Sequence, residues 1–209
     1  MLKQSAKGAA LTIYKFGKHS VVTRSNERQT LSLRELAVTT GRKIVPSFEL
    51  FETYYAEAGL DYADDLIRTQ LQGPVSAASV DQERTLVVYA LKYEVLFFAA
   101  LQKLYDAAEG CKSTDQTRYL RAREEWDIAA AMIIGSTQNE ADVGTGDLLY
   151  KLGASLCATF NTCDPTSGEA KINEKIEESL YAGSYLLKSK ACNSVMIYAD
   201  NIQRYLQVR

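Results

Sequence analysis

"VVYALKYEVLFFAAL", Val87 to Leu101, is apolar nearly all round a helix, with Val87, Val88, Leu91, Val95, Leu96, Phe97, Phe98 and Leu101 spread over its faces. A helix without a polar face has to be surrounded by other helices. The stretch therefore predicts a long buried central helix, from about Val80 to Glu109, closed at Gly110. Its most apolar run, "VLFFAAL" (Val95 to Leu101), is short and flanked by Lys92, Glu94 and Lys103. Nothing in the chain approaches the roughly 20 apolar residues that cross a bilayer, so no transmembrane segment is expected.

Outward from this pillar, only three prolines occur in 209 residues and apolar residues recur every three or four positions. That spacing predicts an all-α fold, a single-domain bundle over residues 1–209 with about seven helices and a cysteine-containing loop. The first helix covers roughly Lys3 to Phe16 and ends at Gly17; a polar loop follows. "SLRE" (Ser32 to Glu35) is a capping box, in which each side chain satisfies the other's amide. That helix stops near Gly41, and the next starts at Pro46 and runs to Gly59. Asp61 caps "DYADDLIRTQLQ", which Gly73-Pro74 closes. "STDQ" (Ser113 to Gln116) reads as a second capping box, opening a helix that ends at Gly135. Further helices are expected near Asp147 to Cys157, Glu169 to Lys188 and Asn193 to Leu206, with "CATFNTCDPTSG" irregular between the first two.

The formal net charge of -2 leaves no basic footprint for phosphates, which disfavours a nucleic-acid partner. The N-terminal stretch carries no secretory signal pattern. Cys111, Cys157, Cys163 and Cys192 allow two disulfides in three connectivities, which points to an oxidising compartment. None forms a Cys-x-x-Cys pair, and one histidine, His19, supports neither a zinc set nor a nucleophile-base motif, so no enzyme activity is expected.

Thirteen tyrosines stand out against one tryptophan and six phenylalanines. Tyr89 and Tyr93, four apart, suit packing. "FETYYAEAGLDYADD" gathers Glu52, Tyr54, Tyr55, Glu57, Asp61, Tyr62, Asp64 and Asp65, and phenolate and carboxylate oxygens are hard ligands for a hard cation. Helix chemistry offers a plainer account: Asp61 as a cap, and Asp64 and Asp65 beside the positive end of the helix dipole. In "EEWDIAAAMIIGS" (Glu124 to Ser136), Glu124, Asp127 and Ala131 share a face where small side chains leave room for a pocket or a tight helix crossing. Alternatively, Glu124 and Glu125 pair with Arg121 and Arg123 on a solvated face.

"EEWDIAAAMIIGS", "LLYKLGASLCATFNTC" and "KINEKIEESLYAG…ACNS", together with "YKFGKHSV" and "YYAEAGLDYADD", resemble the algal iron-assimilating, low-iron-inducible periplasmic proteins, the group that includes the phytotransferrins. The matched segments keep the family's order from about Tyr14 to Cys192. The resemblance implies a secreted, periplasmic or cell-surface helical domain, often in tandem copies, that captures ferric iron, Fe(III), with carbonate as candidate synergistic anion; the thylakoid lumen is another oxidising compartment that would suit it. Carried over by position, the metal candidates are Tyr54, Tyr55, Asp61, Tyr62, Asp64, Glu125 and Asp127, with Lys15 and Lys18 as anion candidates. The chain departs from the family pattern at Ala56 and Ile128, which gives the alternative expectation: a helical structural or interaction subunit of a larger assembly that keeps the fold without the metal.

Overall fold

The structure, a computed structural model, describes residues 4–18, 20–24, 27–40, 61–73, 80–135 and 148–207. Helix dominates it. In chain order come α1 (Gln4–Phe16), α2 (Leu33–Thr40), α3 (Tyr62–Gln72), α4 (Val80–Tyr89), a π-helical segment (Ala90–Leu96), α5 (Phe97–Cys111), α6 (Gln116–Ile133), α7 (Leu149–Cys157), α8 (Lys171–Lys188) and α9 (Cys192–Gln207). The helix expected from Pro46 to Gly59 lies outside the described residues. The chain divides into two compact units, Met1–Phe98 and Ala99–Arg209.

One short hairpin departs from the all-helical reading. β1 (Val21–Arg24) pairs antiparallel with β2 (Glu27–Thr30), Val21 opposite Thr30 and Arg24 opposite Glu27. The segment reads as a polar loop because it has little apolar content, but the β-branched run of Val21, Val22 and Thr23 favours extended backbone. Gly17 makes the approach to it possible. Its φ is +67°, and a Cβ there would stand 2.5 Å from the Leu31 carbonyl oxygen, so no other residue fits without displacement.

The first unit buries Tyr14, Ala37, Ala63, Ile67, Ala90 and Val95 together, with Leu33, Leu36, Leu66 and Leu91 packed around them. Its helices begin and end largely as helix chemistry dictates. The Ser32 hydroxyl accepts from the Glu35 amide at 3.1 Å and the Glu35 carboxylate accepts from the Ser32 amide at 3.1 Å, the reciprocal box the sequence predicts. Asp61 occupies the N-cap position of α3 but its side chain caps nothing. At the other end of α3, the buried Lys7 ammonium donates to the Gln70 carbonyl at 3.1 Å and pairs with Glu83 at 2.7 Å. A cation on the last carbonyls of a helix is favoured by both the open acceptors and the dipole. In the π segment the Phe97 amide bonds back five residues to Lys92, and Ala90 and Val95 both reach the core.

The second unit is held by α6, α8 and α9, with α8 and α9 joined by a three-residue turn. Trp126 is 1% exposed and donates from its indole nitrogen to the Leu180 carbonyl at 3.0 Å. Its ring lies where a Cβ on Gly183 would be, 2.0 Å away, so α8 can approach α6 only because position 183 has no side chain. Asn173 donates to the Tyr150 carbonyl at 2.8 Å and occupies the space above Gly153, which fixes α7 against α8. Two disulfides brace this unit: Cys111–Cys192 ties the end of α5 to the start of α9, and Cys157–Cys163 clasps the loop after α7. The sequence allowed three pairings, and the fold selects this one.

The long helical run is less buried than its sequence suggests. Val95, Phe97, Phe98 and Leu101 are buried, but Val87, Val88, Leu91 and Leu96 are half-buried and Leu86 is exposed. By length and composition Asp81–Cys111 could cross a membrane. A core helix passes the same test, and from Ala99 onward the burial of Ala99, Ala100, Leu101, Leu104, Ala107 and Ala108 fits that account.

Candidate functional site

The first-turn residues of α3 fall into different environments. Asp61 is exposed, Tyr62 is half-buried, and Asp64 is buried at 2% exposure. A lone carboxylate at such depth needs partners. Asp64 has three. The Tyr14 hydroxyl donates to Oδ1 at 2.9 Å, Arg34 Nε donates to both oxygens at 3.2 and 3.3 Å, and Arg68 Nε stands 3.5 Å from Oδ2. Arg68 also reaches Asp65 at 3.0 Å. Burial, reinforced by the hydrogen bond to Asp64 and its negative charge, pushes the Tyr14 phenol well above the ordinary tyrosine range. Tyr14 therefore stays protonated and donates.

On α6 the acidic residues separate by face. Glu125 is buried and its carboxylate pairs with Lys103, with Arg121 Nε at 3.4 Å. Half of the plainer expectation holds here, because Arg121 does pair with Glu125, but the main partner comes from α5. Asp127 and Glu124 lie with Leu120, Ile128 and Ala131 on the exposed face. Glu124, Asp127 and Ala131 do share one face, and it is the exposed one; the core face carries Tyr119, Ala122, Trp126, Ala129 and Ile133.

Among the described residues, the carried-over metal candidates fall in separate environments. Glu125 and Asp127 point to opposite environments, and the Asp64 oxygens already accept from a phenol and an arginine. Among the described residues no three His, Cys, Asp or Glu side chains gather as metal ligands would. Tyr54 and Tyr55 lie outside the described residues, as does His19. Lys15 is half-buried near the end of α1 and Lys18 is exposed just beyond it.

Two features of the second unit go beyond the sequence reading. The Cys157–Cys163 loop is stiffened by Asp164, whose carboxylate accepts from the Thr166 and Ser167 amides at 2.8 and 3.0 Å; those bonds hold its carboxyl below the usual range. Phe160 projects from this loop at 65% exposure, beside an open groove of about 500 Å³ lined by Gly153, Leu156, Lys171 and Ile172. On the outer face of α8, Tyr181 and Tyr185 are 76% and 71% exposed. The i, i+4 spacing of "YAGSY", on the side of α8 opposite Ile176, Leu180 and Leu187, is the signal for it in the sequence.

No protein-family model, curated protein or solved structure matches the chain.

Proposed function

We propose that the chain is a non-catalytic helical interaction module, a subunit of a larger assembly that works in an oxidising compartment, whether secreted, periplasmic, cell-surface or lumenal. The observation that carries this reading is the rigid presentation of large aromatic groups: Tyr181 and Tyr185 stand exposed on a helix locked from behind by Trp126. Tyrosine is enriched in interface cores, where its ring buries apolar area and its hydroxyl keeps a polar partner. The buried polar side chains support the same reading. Lys7, Asp64, Glu125 and Asn173 each make contacts that hold one helix against another. The two disulfides suit an oxidising compartment.

Ferric iron capture with carbonate is the competing proposal. The resemblance suggests it, and Tyr54 and Tyr55 would have to carry it, because Asp64 and Glu125 are neutralised by cations.

The interaction reading is tested by cross-linking the chain in its intact native cells and sizing it in the extract, which retains transient complexes. The expected result is a complex above the 23.2 kDa of a single chain, lost when Tyr181 and Tyr185 are both changed to Lys. A native chain migrating at its own mass would overturn the proposal.

A further inference from the structure

The outer face of α8 has an order of its own. Lys171, Glu174, Glu178, Tyr181, Tyr185 and Lys188 are all exposed and follow one another at alternating spacings of three and four, so they form one seam along the helix, apolar only at its two tyrosines. Gly183, pressed on Trp126, lies on the opposite side of the helix, so the seam points directly away from the unit's core. The residues flanking the two tyrosines are Ala182 and Ser184, small enough to let another helix approach closely.

We infer that this seam pairs with the same seam of a second copy of the chain, antiparallel and about a two-fold axis at Gly183. The inference rests on the interaction-module reading and names the partner. The charge pattern selects this occupant. Glu178 and Lys188 lie five residues to either side of Gly183, and Tyr181 and Tyr185 two residues to either side. An antiparallel copy therefore sets Tyr181 against Tyr185 at the centre, and Glu178 against Lys188 on both sides of it. A parallel copy would set Glu178 against Glu178 and Lys188 against Lys188, which like-charge repulsion disfavours. Isologous contacts of this kind close on themselves as a dimer and do not propagate. In the single chain Glu178 pairs with Lys175 at 2.7 Å, both side chains half-exposed, a pair weak enough to exchange for one across the interface.

The size of the contact sets the expected strength. Four tyrosine rings burying about 150 Å² or more each supply roughly 600 Å². With the stems of Glu178 and Lys188 the interface stays below about 1,200 Å², the size of weak encounters, so the dimer is transient and its dissociation constant micromolar.

Sedimentation equilibrium of the full purified chain, over a loading range of roughly 1 to 300 µM, tests this. The chain is expected to pass from monomer to dimer across that range. Lys188→Glu loses two cross-pairs and creates two like-charge contacts, and should weaken dimerisation about tenfold. Glu178→Lys should weaken it similarly, and the double reversal Glu178→Lys/Lys188→Glu should restore it to within about threefold. Circular dichroism confirms that each variant keeps the helical fold. A monomer at every loading, an association indifferent to Lys188→Glu, or a double variant that stays weak would each overturn the inference. If the purified chain is monomeric while the complex in native extract persists, the second-copy inference alone falls; if both are monomeric, the module reading falls with it.

Discussion

Removing the two disulfides one at a time should cost very different amounts. Cys111–Cys192 joins residues 81 apart in sequence, and Cys157–Cys163 joins residues 6 apart. A cross-link stabilises chiefly by restricting the unfolded chain, and the restriction grows with the logarithm of loop length, giving about 4.5 kcal/mol for the longer loop and about 2.4 kcal/mol for the shorter. The native state adds little to distinguish them. Cys111 and Cys157 are both buried, so alanine replaces each pair without burying a hydroxyl. Trp126, the only tryptophan, sits in the same unit at 1% exposure and reports its unfolding by fluorescence. With a urea dependence of about 2 kcal/mol per molar, the midpoint should fall by roughly 2 M for Cys111→Ala/Cys192→Ala and roughly 1 M for Cys157→Ala/Cys163→Ala. Equal losses, or a larger loss from the short loop, would refute the chain-entropy reasoning and place the value of the Cys157–Cys163 bond in the native loop.

Gly183→Ala gains about 1 kcal/mol of helix propensity but drives a methyl group into the Trp126 ring, an overpacking cost of about 3 kcal/mol. Urea unfolding should show a net loss of about 2 kcal/mol, with Trp126 emission shifted to the red; a gain in stability would contradict the packing. Glu125→Gln leaves Lys103 without its counter-charge and should cost about 2 kcal/mol, less than a fully buried pair because the Lys103 side chain is 23% exposed. Adding Lys103→Met should recover most of that loss, and no recovery would show that Glu125 does more than balance Lys103. Tyr14 gives a pH test. Burial raises its folded pKa above the unfolded value of 10.0, so its contribution is complete below that pH. As pH climbs past it the unfolded phenol ionises first and the first unit loses stability. Circular dichroism against pH should show this extra alkaline destabilisation in the native chain and its absence in Tyr14→Phe; identical profiles would remove Tyr14 as the cause.

Where a local rule had no competitor, the sequence was a sound guide. Ser32 and Glu35 form their reciprocal box, and Gly17 and Gly135 end their helices with positive φ, because in each case one arrangement satisfies the open backbone groups. "STDQ" failed for want of that uniqueness. Ser113 accepts from the Asp115 amide at 3.2 Å, and Asp115 becomes the cap, accepting from the Thr117 amide at 2.9 Å. The candidate site is less legible. Helical spacing places Glu124, Asp127 and Ala131 together but cannot say which face looks inward; Ala131, a strong helix former, lies on the exposed face. The distant partners of Asp64 and Glu125 are equally illegible, although Arg68 and Arg121 lie one helical turn away from them. Tyr14 lies 50 residues from Asp64 and Lys103 lies 22 from Glu125, and only folding brings them together.

The reading proposed above leaves Asp64 and Glu125 in structural pairs and the chain a partner-binding module rather than an iron carrier. Visible absorption during titration of the purified chain with ferric iron in bicarbonate tests it most directly. The account predicts no tyrosinate-to-iron charge-transfer band. A stoichiometric band that disappears in Tyr54→Phe/Tyr55→Phe would contradict it, and would make ferric capture the function.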